Sequence, residues 1–200
     1  MRWQWRCRPR CWEGESLVLN VAELDEFFER HFHRRAFRLE VRDAYEVASD
    51  GGDFARYMAG EALPDATRKN AWLDELRADS ARGKAWQWVH VVRSPLSDYL
   101  RYEFEWGYAI NIGAGADVRV LDSTERPRPA GLISEDFWLL DDQAALVMVY
   151  DDANCFVGAE PVPTAELPRY RRAQAVAWKA AQSFGDYWAA HPHYHRARAA

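Results

Sequence analysis

The sequence predicts a single α+β domain: a central mixed or antiparallel sheet with helices on its faces. Three observations carry this. Residues 37–45 alternate apolar and charged side chains, as a half-buried strand does. Residues 86–121 run strand, helix, strand, and residues 136–160 hold three short apolar runs separated by acidic turns, the pattern of a meander. With 48% apolar residues in a chain of 200, there is material for one core of ordinary domain size.

The elements follow in order. Asn20 is a good N-cap, and Glu23 three residues later completes a capping box. Leu24, Phe27, Phe28 and Phe32 then mark one apolar helix face as far as Arg34. The strand Phe37–Tyr45 puts Phe37, Leu39 and Val41 on one face and Arg38, Glu40 and Arg42 on the other. Gly51 and Gly52 make a turn, and a short helix runs from Phe54 to Gly60. A helix over 68–82 turns Trp72, Leu73 and Leu76 inward and stops at Gly83. Trp86–Val92 is a strand ended by Pro95, and Ser94 or Ser97 caps a helix to about Ile110. Val118–Leu121 is a strand, and a loop with Pro127 and Pro129 follows. Phe137–Leu140, Ala144–Tyr150 and Phe156–Glu160 form the meander, with Asp141-Asp142 and Asp151-Asp152 at its turns. Pro168 opens a last helix to about Phe184. Residues 1–14 read as a flexible basic extension, 15–184 as the domain, and 185–200 as a flexible tail containing histidines.

The charge is uneven. The net value of −5 combines basic ends with a strongly acidic body, which is a poor electrostatic match for nucleic acid. No run of 18 apolar residues is present, so no membrane span is expected. The basic N-terminus lacks the apolar stretch of a signal peptide. Three cysteines, Cys7, Cys11 and Cys155, make no disulfide framework, and a cytoplasmic location is the expectation.

Four groups of residues carry potential chemistry. Cys7 and Cys11 with His191, His193 and His195 have ligand-like spacing, but both sets lie at chain ends, so no metal or other cofactor is expected. The row Arg38, Glu40, Arg42, with Tyr45 beyond it, is either a solvated face or, if covered, a set of charges that must be paired. The helix around Asp98, Tyr99, Arg101, Tyr102 and Glu103 is either a polar face or a pocket wall. The carboxylates Asp136, Asp141, Asp142, Asp151 and Asp152 fit turns better than a cation site. A Gly-rich phosphate loop, a nucleophile elbow and a His-Glu-x-x-His motif are all missing, and His90 reads as a structural residue.

Three longer stretches carry a resemblance. Phe37–Tyr45 (Phe-Arg-Leu-Glu-x-Arg-x-x-Tyr), Pro95–Glu103 and Asp136–Asp142 resemble the shared motifs of an actinobacterial family of unknown function, over residues 22–182. Members are often encoded beside helix-turn-helix regulators, which implies a regulatory or accessory role and such a regulator as partner. The order of elements from 86 to 160 is also similar to a phospholipase D-like half-domain. Asp136 and Trp138 stand where the His-x-Lys motif of that fold belongs, so the phosphodiesterase reaction is not expected. The expected function is therefore a ligand- or protein-binding regulatory or accessory protein. The alternative is a tailoring or transfer enzyme acting on an anionic small molecule or natural-product intermediate. Its acid–base candidates are Glu40, Asp98 and Glu103. Its ligand contacts are Arg38, Arg42, Tyr45, Tyr99, Arg101, Asp136 and Trp138.

Overall fold

A computed structural model describes residues 18–46, 52–65 and 69–196. The expected basic extension, with Cys7 and Cys11, lies outside these residues. The described residues form one mixed sheet of seven strands in the order β6-β5-β4-β1-β2-β3-β7. Its strands are β1 (Arg35–Glu40), β2 (Ala85–Val92), β3 (Asp117–Asp122), β4 (Phe137–Leu140), β5 (Ala144–Tyr150), β6 (Phe156–Pro161) and β7 (Gln182–Ser183). The first three are parallel to one another, and β4 returns antiparallel beside β1. The β4–β5–β6 meander then extends one edge, and β7 closes against β3 at the other.

Helices occupy both faces. Helix α1 (Val21–His31) starts at the expected box: Asn20 Oδ1 accepts the N–H groups of Ala22 and Glu23, and Glu23 accepts that of Asn20. Helices α2 (Asp53–Met58) and α3 (Asn70–Ala81) connect β1 to β2. A helical run connects β2 to β3 and has three parts: α4 (Asp98–Tyr102), a π-helical segment (Glu103–Tyr108) and α5 (Ala109–Gly113). Ser97 is its cap, accepting the N–H of Leu100 at 3.1 Å. Together, α1, α3 and the helical run cover the face made by Ala36, Trp86, Trp88, Val120 and Trp138. Helix α6 (Leu167–Ala180) covers Phe37, Leu39, Val89, Val91 and Leu139 on the other face, with Tyr170, Ala173 and Ala177 inward. This division follows the odd–even parity of β1.

Three local readings are corrected. Strand β1 stops at Glu40 rather than continuing to Tyr45, because the Val41 N–H goes to the Asp136 carboxylate at 2.9 Å instead of to a neighbouring strand. The helix at Pro168, expected to run to about Phe184 as the last, ends at Ala180. Residues beyond it are built into the domain: Ser183 caps α7 (Phe184–Ala190), and Tyr187 and Tyr194 are buried. Cys155 is disulfide-bonded, a single link where the odd cysteine count gave no framework to expect. Among the described residues, no helix is long and apolar enough to cross a membrane.

The Asp141-Asp142 turn is a turn, as its composition indicates, with both residues in the left-handed region at φ 50° and 62°. Asp141 also joins distant parts of the chain. Its carboxylate accepts the N–H groups of His33, Arg34 and Arg35 at 3.1, 2.9 and 2.7 Å, and Asp142 pairs with Arg35. The entry to β1 is thereby tied to the β4–β5 hairpin. Burial works to raise the Asp141 pKa, but the three backbone donors outweigh it and hold the carboxyl below its usual range. Asp141→Ala leaves those donors unpaired and should cost about 2 kcal/mol in urea unfolding at neutral pH. Because the folded-state pKa is depressed, this contribution is present above the usual aspartate range and fades as pH falls through the folded value. The difference between parent and variant should narrow accordingly.

Candidate functional site

The charged row of β1 is covered rather than solvated. Arg38 and Glu40 point to the face under the helical run, and Glu40 lies opposite His90 in the parallel β1–β2 register. Both sit at the carboxyl ends of parallel strands, where open α/β sheets leave a crevice. The π-helical segment closes over them with Glu103 and Tyr108. The start of β4 brings Asp136, the end of β5 brings Tyr150, and the loop after β1 brings Tyr45.

Arg38 is the hub, at 2% exposure. Its Nε donates to Glu40 Oε1 at 3.3 Å, and its Nη2 donates to Asp136 Oδ2 at 3.2 Å and to the Tyr150 hydroxyl at 2.8 Å. Asp136 also accepts from the Tyr45 hydroxyl at 2.7 Å. Burial acts against the guanidinium charge, yet Tyr150, Asp136 and Glu40 outweigh it and raise the Arg38 pKa. Burial first, then the neighbouring acids, pushes the Tyr45 and Tyr108 phenols well up, so both stay neutral donors.

His90 is fully buried and bonded at both ring nitrogens. Its Nε2 lies 2.9 Å from the Arg42 carbonyl oxygen, which only accepts, so Nε2 carries a proton. Its Nδ1 lies 2.7 Å from the Tyr108 hydroxyl, which in turn lies 2.5 Å from Glu40 Oε2. Tyrosine has one proton for these two contacts. The Tyr108 hydroxyl donates to Glu40 Oε2, and its oxygen lies against His90 Nδ1. Glu103 lies beside it, with Oε2 3.5 Å from His90 Nδ1, and that oxygen is buried without a hydrogen-bond partner. Burial first, then Glu40 and Asp136, drives the Glu103 pKa well above its usual value. Three carboxyl groups, those of Glu40, Glu103 and Asp136, thus surround one guanidinium.

The structure brings together five of the expected site residues: Arg38, Glu40, Tyr45, Glu103 and Asp136. Tyr99 stands at the rim, its ring 6.1 Å from Tyr45 and 5.6 Å from Phe54. Asp98 is exposed and pairs with Arg101 at 3.5 Å, while the Arg101 Nε donates to the Tyr194 carbonyl, so neither belongs to the cluster. The Arg42 side chain turns outward to Asn154 and over the Tyr150 ring, and only its carbonyl takes part. Trp138 is core, packed against Phe28, Trp86 and Trp88, with its ring 5.4 Å from the Arg38 guanidinium.

Sequence reasoning missed His90, Tyr108 and Tyr150. His90 shares parity with Trp86 and Trp88, so its face was readable, but its partner across the strand was not. Glu103 and Tyr108 are five residues apart, outside the three-or-four spacing of an α-helix. They cooperate because the segment between them is a π-helix, a local widening found often at functional sites. A cavity of about 220 Å³ bordered by Phe28, Phe32, Glu75, Asp79, Arg82 and Lys84 lies elsewhere, against α1 and α3. Its two cations are paired with Asp79.

The fold and cluster define a class: a single α+β domain with a mixed sheet and a buried acid–histidine–arginine network at its parallel-strand ends. The chain belongs to the family described as domain of unknown function DUF6879, whose profile matches residues 22–189. All cluster residues fall within that span. No curated protein matches the chain.

Two substitutions probe the network. Arg38→Met strands Asp136 and Glu40 as buried, uncompensated acids and should lower stability by about 3–5 kcal/mol in urea unfolding. Glu103→Gln should do the reverse at high pH. A carboxyl whose folded-state pKa is raised destabilises the fold increasingly as pH climbs above its usual value. The glutamine variant should therefore match its parent at about pH 4 and exceed it at about pH 8.

Proposed function

We propose that this protein is a ligand-binding accessory domain, not a hydrolase, and that the group received at the carboxyl ends of β1 and β2 is a cation. The observation that carries the reading is the Glu103 carboxylate oxygen. It is buried and unpartnered inside a cluster of three carboxyl groups and one guanidinium. Burial makes the Glu103 carboxyl hold its proton, and a bound cation would take that proton's place and offset the charge. The aromatic rim of Tyr45, Tyr99 and Phe54 supports the same sign, since ring faces attract positive charge.

We prefer this to the expected anionic small molecule because the cluster sets three carboxyl groups against one guanidinium. Arg38 commits Nε and Nη2 to Glu40, Asp136 and Tyr150, with Nη1 buried and without a hydrogen-bond partner among the described residues, while Arg42 is engaged by Asn154 and Arg101 by Asp98 and the Tyr194 carbonyl. Of the acid–base candidates of the transfer-enzyme alternative, Glu40 and Glu103 lie in the cluster and Asp98 stands exposed outside it. The phospholipase D-like comparison offers no reaction either. Asp136 anchors the Val41 backbone and Trp138 is core, so neither supplies a nucleophile. Family resemblance supports a helix-turn-helix regulator as the partner that reads the occupied state.

The test is a thermal-shift series on the full chain with spermidine, divalent metal chlorides and inorganic phosphate. A ligand at one hundred times its Kd should stabilise the fold by roughly 2.7 kcal/mol. At least one cation should raise the Tm, phosphate should not, and Glu103→Gln should remove the shift. Stabilisation by phosphate, or a cation shift that survives Glu103→Gln, would overturn the reading.

A further inference from the structure

The cluster also indicates which cation. We infer that Glu40 Oε2, His90 Nδ1 and Glu103 Oε2 form a binding site for one divalent transition-metal ion, of the zinc or manganese class. This rests on the reading above that the cluster takes a cation.

The geometry comes first. The three atoms lie within 4.8 Å of one another, with Nδ1 3.7 Å from Glu40 Oε2 and 3.5 Å from Glu103 Oε2. Ligand atoms held at about 2.0–2.2 Å from a common ion are separated by roughly 3–3.6 Å, so a small closure of the carboxylates completes the site. The three ligands come from β1, β2 and the π-helical segment, so the packing of the sheet against the helical run sets their separation. One nitrogen with two carboxylate oxygens suits zinc or manganese better than calcium, which prefers oxygen alone.

The surroundings have the form of a metal site's outer layer. His90 donates Nε2–H to the Arg42 carbonyl, which fixes the tautomer that leaves Nδ1 as the ligating atom. Arg38 holds Glu40 by Oε1 and so turns Oε2 toward His90. Glu103 Oε2 is buried and has no hydrogen-bond partner among the described residues. The Tyr108 hydroxyl lies between Nδ1 and Glu40 Oε2 at 2.7 and 2.5 Å, so the ion exchanges for that bridge and Tyr108 gives way.

The experiment is calorimetric titration of the chelator-treated full chain with zinc chloride and, separately, manganese chloride. The histidines near the C-terminus are a competing source of ligands, so the titration is run on a His193→Ala/His195→Ala background. One equivalent of one of the two ions should bind, and Glu103→Gln should weaken it at least about tenfold. Thermal unfolding of the glutamine variant confirms that it is folded. One-site binding unchanged by Glu103→Gln overturns the site. Glu103-dependent binding of spermidine with no binding of either metal overturns the metal assignment and leaves the cation reading standing. If no cation binds in a Glu103-dependent way, both fall.

Discussion

The structure depends on what is done with one buried guanidinium. Arg38 projects from a central strand into the space under the helical run, where water cannot solvate it. A charge in that position persists only if the fold delivers partners to it. Glu40 comes from the same strand, Asp136 from the start of β4, and Tyr150 from the end of β5. Asp136 in turn ends β1 by taking the Val41 N–H and is steadied by Tyr45. Strand length, the approach of the meander and the path of the chain after β1 are thus parts of one electrostatic solution.

The partners overshoot. Neutralising one arginine does not need three carboxyl groups, and the excess lies on the side of Glu40 and Glu103, where His90 and Tyr108 share protons with them. A polar core built only to hold the fold would end with Asp136. The surplus acid, near the carboxyl ends of the parallel strands, is the ground for the proposed cation reading. The three stretches that carried the family resemblance, remote in sequence, each bring a residue here: Tyr45, Glu103 and Asp136.

Much of the fold was legible because it rests on local signals. The Asn20–Glu23 box, the apolar runs at 137–140 and 144–150 and the Asp-Asp turn each announce themselves within a few residues. Parity along β1 separated Phe37 and Leu39 from Arg38 and Glu40, and both faces proved buried. The parallel pairing of β1, β2 and β3 was not legible, since the direction of a neighbouring strand leaves no local mark. The site was half legible for the same reason. Charges on a strand that must be paired could be named, but His90 and Tyr150 joined them only through strand neighbours. Tyr108 was hidden by the π-helix, which breaks the period used to read a helix face. Residues 185–196 read as a loose end from their place at the terminus alone, while Tyr187 and Tyr194 pack inward.

The strand order has a consequence for how the chain reaches its structure. The central strand β1 is made early, yet one of its two neighbours is β4, about a hundred residues later. During synthesis the N-terminal half therefore carries an open strand edge, and a buried arginine lacks its main acid, until residues 136–140 emerge. Pairings of such sequence separation are slow to form and leave edges exposed to other chains. The last third of the protein thus acts as a closing clasp on its first third, and a ribosome stalled before that point would hold a chain prone to stick.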